Sequence, residues 1–165
     1  MKTKKVFIFL AEGFEETEAI ATTDVMLRGE LDVTTVSVTG KSLVTGAHGI
    51  AVNADTLFEN TDFSKGEMLV LPGGMPGASN LNEHEGLKNL LLQYAKEGKK
   101  LAAICAAPLV LGGLNLLQGK KATAYPGFES TLKGAEHVET GVVKDGNIIT
   151  GRGPGFAIDF GLAIV

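Results

Sequence analysis

Short apolar runs separated by segments of helix length set the tightest limit on how this chain can fold. KVFIFL (5–10), VTTVSV (33–38), MLVL (68–71) and KLAAI (100–104) read as strands. Between them, residues 16–28 and 85–97 read as helices, the second with Leu87, Leu90, Leu91 and Tyr94 at helical spacing. This β-α-β-α order implies an α/β fold, a mostly parallel sheet with helices on both faces. The other pieces fit around it. Residues 44–52 suggest a hairpin about Gly46 and Gly49, and 107–116 a helix. Residues 121–125 suggest a strand, 138–150 a hairpin turned at Asp145-Gly146, and 156–165 a last helix. With no repeat, linker or low-complexity stretch, the expectation is one domain over residues 1–165.

Bulk properties narrow the function. A chain of 165 residues, 44% hydrophobic and 21% charged, can bury a substantial core. A net charge of -4 favours neither nucleic acid nor an anionic membrane as partner. The opening MKTKKVFIFLAEGFEE has a leader-like start, but its apolar run stops at Ala11 and three glutamates follow, so a buried strand is expected. A lone cysteine cannot form an internal disulfide, which suits a reducing, cytoplasmic setting.

In an open parallel sheet, sites form beyond the carboxyl ends of the strands. Three loops fall at that edge: AEGFEETE (11–18), PGGMPG (72–77) and CAAP (105–108). Cys105, caught between a strand and a helix, is expected on a sharp turn, with Ala103, Ala106 and Ala107 small enough to let the helix start beside the strand. Pro108 suits the first helical turn. A helix N-terminus there is expected to lower the pKa of the thiol; the bland alternative is a packed, inert sulfur. The N–H groups of Gly73, Gly74 and Ala106 are candidates for an oxyanion hole. Most of Glu12, Glu15, Glu16 and Glu18 need only stabilise a helix dipole. A carboxyl facing the thiol would instead share one proton with it; spacing alone does not say which glutamate that is. His84 and His137 read as surface residues, and no His pair has metal-ligand spacing. GRGPG (151–155) lacks the spacing of a dinucleotide fingerprint.

Taken together, AEGFEETEA, DVMLRG, LVLPGG, AAICAAP and GRGPG resemble the ThiJ/PfpI superfamily, in its order and spacing and over nearly the whole chain. The similarity is greatest to the branch of the parkinsonism-associated protein deglycase and its bacterial relatives. The resemblance implies a flavodoxin-like three-layer sandwich and a homodimer. It makes Cys105 the reactive elbow cysteine, Glu18 the acid bonded to it, and Gly73, Gly74 and Ala106 the surrounding backbone donors. Tyr125, Pro126, His48 and Glu15 become site-lining residues. Ala106 stands where the peptidase branch has a histidine, Tyr125 where the deglycase branch often has one, and His48 where relatives often have arginine. A phenol is a poor base at neutral pH.

The leading expectation is therefore a cysteine-dependent enzyme for small aldehydes and dicarbonyls, of glyoxalase or deglycase type, with no metal or organic cofactor. The alternatives are a redox-sensing, stress-response or chaperone-like protein using the same thiol, a flavin- or phosphate-binding module, and a cysteine peptidase. No membrane or nucleic-acid partner is expected.

Overall fold

The computed structural model describes residues 3–165. Met1 and Lys2, part of the stretch weighed above as a leader, lie outside them. The elements follow the chain as β1 (Lys5–Leu10), α1 (Glu16–Arg28), β2 (Asp32–Ser37), β3 (Leu43–Thr45), β4 (Ala51–Asn53) and β5 (Thr56–Leu57). Then come β6 (Met68–Leu71), α2 (Gly77–Glu83), α3 (Glu85–Lys96), β7 (Lys100–Ile104) and α4 (Pro108–Gly113). The last are β8 (Lys121–Ala122), β9 (Glu136–His137), β10 (Val142–Asp145), β11 (Ile148–Gly151) and α5 (Ala157–Ile164).

Seven strands form one sheet in the order β10-β11-β7-β6-β1-β2-β5. Every pair is parallel except β10 with β11. The pleat sends alternate residues to opposite faces. Phe7, Phe9, Leu69, Leu71, Leu101 and Ala103 meet Leu81 of α2, Leu87, Leu91 and Tyr94 of α3, and Val110 and Leu111 of α4. Val6, Ile8, Met68, Val70, Ala102 and Ile104 meet Met26 of α1 and Phe160 and Ile164 of α5. Both faces are thus covered in a flavodoxin-like sandwich, and each large apolar side chain contributes ~1.5–3 kcal/mol by leaving water. The chain reverses direction across the sheet between β2 and β6, which flank β1 on opposite sides, so the crevice opens at the carboxyl ends of β1, β6 and β7.

Several expectations need correcting. The strand expected over 121–125 shrinks to Lys121–Ala122, paired with β9 in a separate two-stranded ladder. It stops early because Thr123 N–H bonds the Thr150 hydroxyl and Tyr125 N–H the Cys105 carbonyl, so the backbone is committed elsewhere. The helix expected over 107–116 ends at Gly113, and Asn115 takes a left-handed conformation with φ 59°. α2 was not foreseen. In the late hairpin Asp145 pairs with Ile148, so the turn is Gly146-Asn147, one residue beyond the expected place. His84 is more than a surface residue: its Nδ1 caps α3 by accepting from Leu87 N–H at 2.9 Å, and its ring packs on Phe58.

Candidate active site

Cys105 follows the last residue of β7 and adopts φ 66°, a left-handed backbone that a non-glycine residue enters at a cost of ~1–3 kcal/mol. Two hydrogen bonds hold it there. Its N–H donates to Gly151 O, and its carbonyl accepts from Tyr125 N–H, both at 2.9 Å. Ala103, Ala106 and Ala107 are buried around the turn, and Pro108 opens α4. The thiol is 8% exposed.

Glu18 reaches this sulfur because of how α1 begins. Glu15 is the helix N-cap, and its Oε2 accepts from Glu18 N–H at 2.6 Å. That places Glu18 on the first turn, fully buried. Its Oε1 accepts from Gly73 N–H at 2.9 Å, and its Oε2 has no well-formed partner among the described residues. The thiol and this carboxyl flank the same small space at Gly73, and each shifts the ionisation of the other.

Gly73 fills the space between the two groups. A Cβ there would fall 2.6 Å from Cys105 Cβ and 2.7 Å from Glu18 Oε1. Gly74 needs its glycine for a second reason, a left-handed φ of 94° pressed against Glu15 N. Glu15 N–H also donates to Gly73 O at 2.8 Å, tying the acidic loop to the glycine turn.

The electrostatics follow from burial. Desolvation is the main cause that pushes the Glu18 carboxyl up to about 7, with the Glu15 charge adding to it. Desolvation, then the charge of Glu18, pushes the thiol up to about 12, against the pull of the Gly74 and Ala106 N–H groups. Two negative charges are disfavoured in so small a space, so the pair keeps at least one proton well above the neutral range. Both influences on the thiol oppose the lowering expected from a helix N-terminus. α4 is only six residues long, and burial and Glu18 outweigh its effect.

Among the proposed donors, the N–H of Gly73 is engaged by Glu18 Oε1, and those of Gly74 and Ala106 favour the thiolate. The other glutamates serve the scaffold. Glu12 receives Thr45 N–H weakly, and both Glu16 oxygens receive His48 N–H at 2.9 Å. His48 sits exposed on the β3–β4 turn, its Nδ1 3.3 Å from Glu16 and 3.8 Å from Glu15. Tyr125 abuts the elbow through its backbone, while its ring is 45% exposed.

Pro126 joins Tyr125, Arg152, Gly153, Pro154 and Phe156 around a groove of about 290 Å³. Gly151 and this Arg152–Phe156 wall were not assigned to the site from sequence; the GRGPG stretch was the signal. A separate cleft lies at the opposite end of the sheet, lined by Lys4, Val6, Met68, Lys100 and Ile164. Among the described residues, no cluster of three or more His, Cys, Asp or Glu is placed to hold a metal ion, and no helix is long and apolar enough to cross a membrane.

Known proteins resemble this chain in sequence and fold. DJ-1 homolog A of Arabidopsis thaliana is 43% identical over 166 residues, covering 99% of this chain and 42% of that protein. The chain thus spans about two-fifths of that relative, and a similar share of DJ-1 homolog B from the same plant. A deglycase of Pyrococcus abyssi is 34% identical over 92% of the chain and 91% of its own length. The oxidized DJ-1 of Toxoplasma gondii superposes with a TM-score of 0.94 at 35% identity, covering 98% of this chain and 89% of that one. The sequence pattern of the DJ-1/PfpI family matches residues 4–165, and the chain belongs to that family.

Proposed function

We propose that the protein is a cysteine-dependent enzyme acting on small reactive aldehydes and dicarbonyls. The observation that carries this reading is the juxtaposition of Cys105, at a strained elbow, and the buried Glu18 carboxyl on either side of Gly73. Glu18 accepts the thiol proton as sulfur adds to the aldehyde carbon, giving a hemithioacetal. The Gly74 and Ala106 N–H groups favour negative charge beside the sulfur. Glu18 passes that proton to the new alkoxide, which restores the carboxylate; it then takes the proton from the former aldehyde carbon and delivers it to the neighbouring carbonyl carbon while the hydroxyl proton moves to the neighbouring carbonyl oxygen. This leaves a thioester of a 2-hydroxy acid. Water cleaves it, releasing the acid and restoring the thiol, so methylglyoxal plus water gives lactate with no net redox change. The deglycase among the relatives supports an activity of this class.

The test is lactate formation from methylglyoxal by the wild type and by the Cys105→Ser and Glu18→Gln proteins. The reading requires both substitutions to abolish turnover; full activity in either refutes it.

A second reading rests on the same sulfur. The T. gondii neighbour is described as oxidized, and in this chain backbone N–H groups and a carboxylic acid near Cys105 would stabilise an oxidised sulfur. Mass spectrometry after mild peroxide tests it. Absence of oxidised Cys105 at doses that spare the methionines rules it out.

A further inference from the structure

The amino ends of the strands carry charges that the cysteine crevice does not use. Val6, Met68 and Lys100 are register partners across β1, β6 and β7, so the lysine ends an apolar row on the sheet face that α1 and α5 cover. Lys144 joins the same face: it pairs with Ile149, and Ile149 with Ala102, two residues along β7 from Lys100. Lys4 and Lys100 line the cleft at this end of the sheet, which holds about 240 Å³ between apolar walls of Val6, Leu31, Met68 and Ile164.

A lysine at a sheet edge needs only to reach water with its charged tip. That does not account for three together without a counter-charge. Burial, then the charges of Lys4 and Lys144, hold the Lys100 ammonium below the usual lysine range, and Glu67 pulls the other way. Among the described residues, Lys4, Lys100 and Lys144 form no ion pair. Lys99, also at the cleft, is committed elsewhere: it meets Glu97 at 3.0 Å and lies over the Tyr94 ring. The hollow on the other sheet face differs. There Lys5 and Lys65 are matched by Asp32, Asp62 and Glu67, and Lys5 pairs with Asp32 at 3.1 Å. We propose that the lysine-lined cleft binds a small aliphatic carboxylate, with its chain along Val6, Met68 and Ile164 and its charge among Lys4, Lys100 and Lys144. An anion there offsets the repulsion among the lysines. Glu67, exposed at the same cleft, disfavours a second negative charge, so a monoanion is preferred to phosphate. The volume lies just below the ~300–1,000 Å³ of drug-sized ligand pockets, so the chain is short.

The test titrates hexanoate into isotope-labelled protein and follows the backbone amide shifts. Shifts are expected at Val6, Met68, Lys100 and Ile164 and not at Gly73 or Ala106, which lie at the other end of the sheet. Affinity should rise about two- to fourfold per methylene from butanoate to hexanoate. Hexanol has the same chain and no charge, and should bind about tenfold more weakly. Lys100→Met keeps an apolar stem and removes the charge, so it should lose most of that preference while circular dichroism shows it folded. Lys4→Gln changes an exposed position where folding is not at risk. It should weaken hexanoate about two- to fivefold and leave hexanol unchanged. Shifts confined to the cysteine crevice, hexanol binding as tightly as hexanoate, or phosphate displacing hexanoate at equal concentration each overturn the proposal. A protein without aldehyde turnover that binds hexanoate in this cleft would refute the proposed reaction and leave this inference standing.

Discussion

Glu18→Gln is expected to make the protein more stable at pH 8 and no more stable at pH 5. Burial raises the carboxyl from 4.5 to about 7, so the folded chain binds this proton more tightly than the unfolded chain. The stabilisation from that tighter binding is complete below pH 4.5. It is lost as pH rises through about 7, where the folded state must hold a buried charge. At ~1.36 kcal/mol per unit, the full swing is about 3 kcal/mol; allowing for relaxation around the charge, ~2–3 kcal/mol remains at pH 8.

Glutamine keeps the shape and can accept from Gly73 N–H, yet it never ionises, so it escapes this loss. Urea or thermal unfolding at pH 5 and pH 8 reads the difference. For a domain of this size, the melting temperature of the variant should rise by about 5–10 °C relative to wild type at pH 8 only. The thiol does not interfere, because its own shift, from 9.0 to about 12, acts on stability only above pH 9. An equal difference at both pH values, or a wild type that is the more stable protein at pH 8, refutes the argument.

Three further outcomes follow from the same geometry. In Glu18→Gln the alkylation limb near pH 7 should vanish, leaving a thiol limb that moves from about 12 down towards 9.0, because the charge that opposes the thiolate is gone; an unchanged profile would show the pair to be uncoupled. Cys105→Gly should be at least as stable as Cys105→Ala by urea unfolding, reversing the usual order, because glycine tolerates φ 66° and alanine does not. Gly73→Ala should cost about 2–4 kcal/mol and disturb alkylation, since its Cβ would meet the fixed carbonyl of Ile104 at 2.6 Å; a silent substitution would show the turn to be softer than its contacts imply.

What could be read from the sequence was whatever one segment encodes by itself. β1, β6 and β7 are short apolar runs with a single possible role, and α1 and α3 carry their own end signals or apolar spacing. The errors fell where partners distant in sequence decide. β8 looked like a five-residue strand because Thr123 and Tyr125 suit strands, yet their N–H groups are claimed by Thr150 and Cys105. α4 looked longer because leucines continue past Gly113, yet the helix closes at Leu114 and Asn115 turns left-handed.

The site divides along the same line. Local sequence brings Cys105 to a strand–helix turn, and there the helix N-terminus is the only visible influence on the sulfur. The opposing influence comes from Glu18, 87 positions earlier in the chain. It depends on an N-cap at Glu15 and on a Gly73 small enough to let carboxyl and thiol meet. The resemblance to a known family links these three parts in sequence; the spacing of the residues alone does not. Once they converge, the crevice behaves differently from an isolated low-pKa cysteine. Above neutral pH it holds one proton between two acids, and it becomes reactive when that proton can move from sulfur to carboxylate during attack. A site of this kind needs a buried carboxyl that the fold itself disfavours above neutral pH, so the stability that Glu18→Gln should recover measures what the reactive pair costs the scaffold.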